Sequence, residues 1–114
     1  MTVEELYQTG FEARCDGRYG EAKLYFMAVL GQEPNHADAQ WQMGLVEGFE
    51  GEFEASIETL RKVVAANPMH ESARYDLAMT LMMLGEMDQA CAELKALLAI
   101  NPNHEKAIQQ AQYC

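Results

Sequence analysis

Three histidines (His36, His70 and His104) and three cysteines (Cys15, Cys91 and Cys114) are the side chains of this 114-residue chain best suited to hold a metal or attack a substrate. The histidines stand 34 residues apart. A single ion needs its ligand atoms at about 2 Å, whereas helix pairs that recur along a chain lie roughly 10 Å apart, so the three histidines cannot converge on one metal. Their better use is at the start of each following helix, where a polar side chain can satisfy a free backbone N–H. The cysteines share no zinc-like spacing and no histidine at a motif distance, and no Ser/His/Asp signature or Gly-rich phosphate loop is present. The residues therefore predict no metal, no cofactor, no catalytic group and no enzyme. The odd number of cysteines is read as reduced thiols in a cytoplasmic protein.

The spacing of the histidines extends to other residues. Pro34, Pro68 and Pro102 are 34 residues apart, as are Gly17, Gly51 and Gly85. Such a period marks one supersecondary unit repeated, here over residues 3–36, 37–70 and 71–104, with a short or truncated capping helix in 105–114. Each glycine ends one helix, because glycine tolerates the left-handed conformation of a helix stop. Each proline ends a second helix, since it lacks an N–H and pushes the residue before it out of the α region. Helices are predicted near residues 3–16, 19–33, 37–50, 53–67, 71–84 and 87–101, with a short one from 105. Gly10, Gly44 and Ala78 recur in the first helices, and Ala22, Ser56 and Ala90 in the second. Phe26, Leu60 and Leu94, with Val29, Val63 and Leu97, supply bulk beside them. One such pair cannot bury its apolar face alone, so the pairs must stack.

These residues resemble the tetratricopeptide repeat (TPR) family over residues 3–104. The matching elements are Met43-Gly44 and Leu77-Ala78 in the first helix, Gly17-Arg18-Tyr19 and Gly51-Glu52-Phe53 at the turn, and Asn101-Pro102-Asn103 at the close. Met87 replaces the turn aromatic of the third unit, and Ala13 and Glu47 stand where the family prefers an aromatic. The resemblance implies an all-α fold: a right-handed α-solenoid of three helix-turn-helix TPR units plus a short C-terminal helix. It also implies a protein–protein interaction module whose first helices line a concave face.

A second periodic set lies on those first helices. Tyr7, Phe11 and Cys15 are followed in register by Trp41, Leu45 and Phe49, then by Tyr75, Met79 and Met83, with Gln109 and Tyr113 continuing the line. Stacked helices would align this set into one apolar stripe. The core already has its own residues in Ala39, Met43, Val46, Ala73, Leu77 and Leu81. The expected ligand-binding groove is therefore Tyr7, Phe11, Trp41, Leu45, Gly48, Phe49, Tyr75, Met79 and Met83. Trp41→Glu is then expected to abolish partner binding and leave folding nearly unchanged. The plainer reading assigns the same stripe to packing between helices. Gly48, which costs its helix about 1 kcal/mol relative to alanine, marks either a hollow in the groove or a close helix crossing.

The family's carboxylate clamp uses Lys and Asn in this stripe. Tyr7, Phe11, Trp41 and Leu45 replace them here, so no clamp is expected, and Arg14 and Arg74 are left as candidate groove-edge cations. The net charge of −10 argues against nucleic acid. It suits a peptide or helix with apolar anchors and some basic residues, or it simply maintains solubility. The densest acidic cluster, Glu47, Glu50, Glu52, Glu54 and Glu58, surrounds the second turn, and Glu47 has no evident partner. No run approaches the roughly 20 apolar residues of a membrane span. The alternative function is a self-assembling scaffold: Ile108 and Ala111 are expected to cover the last helix pair, and an incomplete cover would allow homo-oligomers stacked through the repeat ends.

Overall fold

The computed structural model describes residues 1–114 as seven α-helices: α1 (Val3–Cys15), α2 (Tyr19–Gln32), α3 (Ala37–Phe49), α4 (Phe53–Ala66), α5 (Glu71–Met83), α6 (Met87–Ile100) and α7 (Glu105–Ala111). Helices α1/α2, α3/α4 and α5/α6 pair as antiparallel hairpins, and α3, α5 and α7 each also pack on the even helix before them. The result is an α-solenoid measuring 43 × 26 × 21 Å. No helix is long and apolar enough to cross a membrane.

Local chemistry sets the helix ends. Gly17, Gly51 and Gly85 have φ of 77°, 82° and 76°. After each, the next amide turns back on the helix, as in Arg18 N–H to Ala13 O at 2.8 Å, which satisfies carbonyls the helix leaves free. The repeating histidines are the N-caps of α3, α5 and α7. Nδ1 of His36, His70 and His104 accepts the amide of Ala39, Ala73 and Ala107 at 3.0, 3.1 and 3.1 Å. That geometry puts the ring proton on Nε2, and at His70 it points to Asp38 Oδ1, 2.8 Å away. Thr2 and Glu5 close a capping box at the start of α1.

The small residues set how closely each pair approaches. A Cβ added at Gly10 would lie 2.8 Å from Phe26, and one at Gly44 2.8 Å from Leu60. Ser56 Oγ–H donates to Gly44 O at 2.7 Å, tying α4 to α3 at that crossing. Phe26, Leu60 and Leu94 are buried, as are Val29, Val63 and Leu97. Of the expected core residues, Ala39, Val46, Ala73, Leu77 and Leu81 are buried and Met43 half-buried.

Two expectations are corrected here. Cys91 and Cys114 are not free thiols: they form a disulfide with Cα atoms 5.8 Å apart, and only Cys15 is free and exposed. The last turn after α7 brings Cys114 back over α6, a proximity that a separation of 23 residues does not reveal. The cytoplasmic expectation loses the support it drew from reduced cysteines. Ile108 does not cover the last pair; Ala107 is the buried residue of α7, and Ile108 is 47% exposed. A cleft of about 440 Å³ remains beside the disulfide, with Leu94, Leu98 and Ala111 among its lining residues.

Candidate interaction groove

Helices α1, α3 and α5 lie side by side, in contact with one another as well as with their even-numbered partners. Their aromatic residues at the 34-residue spacing take up one repeated arrangement. Tyr7 stacks on His36, Trp41 tilts over His70 and Tyr75 stacks on His104, with ring centroids 5.4, 5.5 and 5.7 Å apart. Each capping histidine thus also supports the aromatic of its own repeat.

Two adjoining cavities follow. One, of about 340 Å³, is lined by Leu45, Gly48, Phe49, Met79 and Met83, with Phe53, Ser56, Leu60, Asp76 and Thr80 completing its walls. The other, of about 390 Å³, holds Trp41, Tyr75, Ser72, His104, Arg14 and Lys106. Leu45, Phe49 and Asp76 line both. Seven of the nine expected groove residues therefore meet in one trough. Tyr7 and Phe11 line neither cavity.

None of the nine is fully buried, but their roles differ. Phe49 and Met83 are 50% and 68% exposed, so packing uses only part of each. Trp41 serves both packing and the trough: it lies against the buried cluster containing Leu60 and Leu77, and its indole N–H donates to Asp76 Oδ2 at 2.7 Å. Tyr7 leans toward packing. Its ring lies 5.7 Å from Phe26, and its hydroxyl oxygen accepts from Gln42 Nε2 at 3.0 Å. Both readings of Gly48 hold, since it lines the trough and an added Cβ would come within 3.3 Å of Ser56 Oγ.

The polar residues of the trough are mostly ones that the periodic reading passes over. Asp76 occupies the register of Gln8 and Gln42, and a charge in a line of amides is the signal that marks it. Burial raises its carboxyl above the ordinary range, and the Trp41 hydrogen bond and the charges of Lys106 and Arg14 partly offset that. Burial likewise raises the phenols of Tyr7 and Tyr75. Arg14 lines the trough with its guanidinium 4.9 Å from the Phe11 ring centre, and Lys106 stands 5.9 Å from that of Tyr75. Neither has a carboxylate partner within salt-bridge distance. Arg74 is a correction: it pairs with Glu93 at 3.0 Å and donates to Pro68 O, with a side chain only 12% exposed, so it is not a groove-edge cation. Glu47 does find a partner, accepting from Thr59 Oγ1 at 2.7 Å.

Known proteins share this architecture. The first TPR of Spaghetti (RPAP3), bound to the HSP90 peptide SRMEEVD, superposes with a TM-score of 0.90 at 16% identity, over 97% of this chain and 88% of that one. MamA (41-end) from Desulfovibrio magneticus RS-1 gives 0.84 at 26% identity, over 98% of this chain and 63% of that one. YrrB, described as a TPR protein with an unusual peptide-binding site, gives 0.87 at 20% identity, over 98% and 58%. The chain thus spans less than two thirds of MamA and of YrrB. No curated protein matches the sequence. The sequence model described as tetratricopeptide repeat matches residues 50–113, more than half of the chain. With that match, the 34-residue period and the stacked hairpins, this chain belongs to the tetratricopeptide repeat family.

Proposed function

We propose that this chain is a non-catalytic protein-interaction module, with residues 3–104 as one TPR domain capped by 105–114, that holds a peptide or helical segment of a partner in the trough of α3 and α5. The observation that carries this reading is the continuity of the two cavities through Leu45, Phe49 and Asp76, which makes one trough, apolar beside Met79 and Met83 and more polar beside Arg14 and Lys106, wide enough for successive side chains. Apolar anchors enter beside Met79 and Met83, whose flexible thioethers adapt to varied shapes. Basic residues of the ligand lie toward Glu52 and Glu54, since Glu50 is paired with Lys23, and its acidic groups toward Arg14 and Lys106. The similar structures of an RPAP3 TPR with its HSP90 peptide and of YrrB with its peptide-binding site support a peptide ligand. A carboxylate clamp is not part of this reading, since Tyr7, Phe11, Trp41 and Leu45 offer no cation.

The test is selection of a random peptide library displayed on phage against the immobilised chain and against Phe49→Ser/Met83→Ser. That variant removes two exposed anchors and adds no charge. Enrichment of peptides with paired apolar and basic residues on the wild type alone is expected. No enrichment on the wild type, or equal enrichment on both, would sink the reading.

A further inference from the structure

The outward face of α2 departs from the same face of α4 and α6. Gly20, Leu24, Met27 and Gly31 are spaced i, i+4, i+7 and i+11, so they form one stripe along the helix, and all four are exposed. Leu24 is 66% and Met27 51% exposed. The repeat supplies an internal comparison. At the same four positions α4 carries Glu54, Glu58, Arg61 and Ala65, and α6 carries Asp88, Ala92, Lys95 and Ala99, all exposed. Helix α4 has a hairpin on either side of its own, yet these positions remain in solvent. Stacking a further repeat would therefore not cover the stripe, and the fold does not require it to be apolar.

The glycines of the stripe have no internal purpose. A Cβ at Gly20 or Gly31 would meet nothing within 4 Å. Both lie in the end turns of α2 (Tyr19–Gln32), where alanine would still be the better helix former, so no demand of the fold selects glycine there. Their placement has a symmetry that suggests their use. Reversing α2 about the point between Tyr25 and Phe26 exchanges Gly20 with Gly31 and Leu24 with Met27. Two copies laid antiparallel about a two-fold axis therefore set Gly20 against Gly31 at both ends and Leu24 against Met27 in the middle. This is the self-complementarity that an isologous interface needs. Charge limits where a second copy can sit. Copies of a chain of net charge −10 repel one another, and this stripe bears no ionised group. A basic partner would find its complement elsewhere, around Glu52 and Glu54, since Glu50 and Glu58 are paired with Lys23 and Lys62.

We propose that the chain forms a two-fold dimer through the outer face of α2, with Leu24 and Met27 interlocked at the axis and the glycines allowing the helices to close over about 16 Å. The stripe shares no residue with the trough, so this inference stands apart from the peptide reading.

The test uses sedimentation equilibrium from low micromolar to millimolar protein. The main variant, Leu24→Glu/Met27→Arg, installs what α4 carries at the same positions (Glu58 and Arg61), which this fold accepts there. Gly20→Glu, matching Glu54, is the second variant, should the first fail to fold. The wild-type mass is expected to rise from 12.8 kDa toward twice that value with concentration. The double variant is expected to stay monomeric with an unchanged far-UV circular dichroism spectrum, and Gly20→Glu to weaken dimerisation about tenfold or more. A wild type that stays monomeric throughout overturns the proposal. So does a folded variant that associates as the wild type does, which would move the contact elsewhere, for instance to the cleft at Leu94, Leu98 and Ala111.

Discussion

Trp41 Nε1–H donates to Asp76 Oδ2 across 2.7 Å, joining the middle first helix to the next one at the floor of the trough. It is the point where core and candidate site meet, and it makes Trp41 a poor probe of binding alone. Trp41→Glu sets a second carboxylate beside Asp76 and removes a ring from the cluster of Leu60 and Leu77. Loss of stability, and not only of binding, is expected, in contrast to the expectation drawn from the sequence. Trp41→Phe keeps most of the packing and loses the hydrogen bond, at a cost of about 1–3 kcal/mol. Urea denaturation of Trp41→Phe, Asp76→Asn and the double variant checks this, and additive single effects would show that the pair is not coupled.

Asp76 carries a pH signature. Burial raises its carboxyl in the folded chain, so its contribution to stability is fully present below the ordinary carboxylate range and is lost as pH rises through the raised folded value. Asp76→Asn has no such loss. Its stability relative to the wild type is expected to rise as pH is raised from below the ordinary carboxylate range through the raised folded value. Thermal melts across that range measure it, and a gap that is constant or narrows as pH rises contradicts the assignment.

The histidine caps contribute through Nδ1. His36→Ala is expected to cost about 1 kcal/mol by leaving the Ala39 amide unmet, and His36→Asn to recover most of that. His70→Ala should cost more, because His70 also meets Asp38. Urea midpoints at constant slope decide the matter; equal losses for His36→Ala and His36→Asn would assign the effect to the Tyr7 stack instead.

The bond between Cys91 and Cys114 closes a loop across 23 residues and holds the chain end against α6. Thiol titration of the unfolded, unreduced chain is expected to find Cys15 alone, and all three cysteines after reduction. Cys114→Ser is expected to lose about 3 kcal/mol of stability, mostly as loosening of α7. Three reactive thiols without reductant would rule the bond out.

The fold was legible because its signals are local. A glycine with positive φ, a proline, and a histidine that accepts the amide three residues on each act within one turn, so they can be read along the chain. Their common period then orders the pairs. The trough was legible in outline for the same reason: Leu45, Phe49, Met79 and Met83 share a helix face and a register, and stacking brings them together. Tyr7 and Phe11 share that register and yet lie outside both cavities, because register places a residue on a face without saying how deep the face is there.

The sequence by itself determined the helices, their ends, their order and the faces that meet, since period and turn chemistry depend only on near neighbours. Only the tertiary structure decided which polar and sulfur groups pair across those faces. Trp41 with Asp76, Arg74 with Glu93 and Cys91 with Cys114 are 35, 19 and 23 residues apart. Such pairs form where rotamers and helix spacing bring two atoms within about 3 Å, or a bond length for the sulfurs, a tolerance much finer than the 1.5 Å rise and face of a helical position can specify.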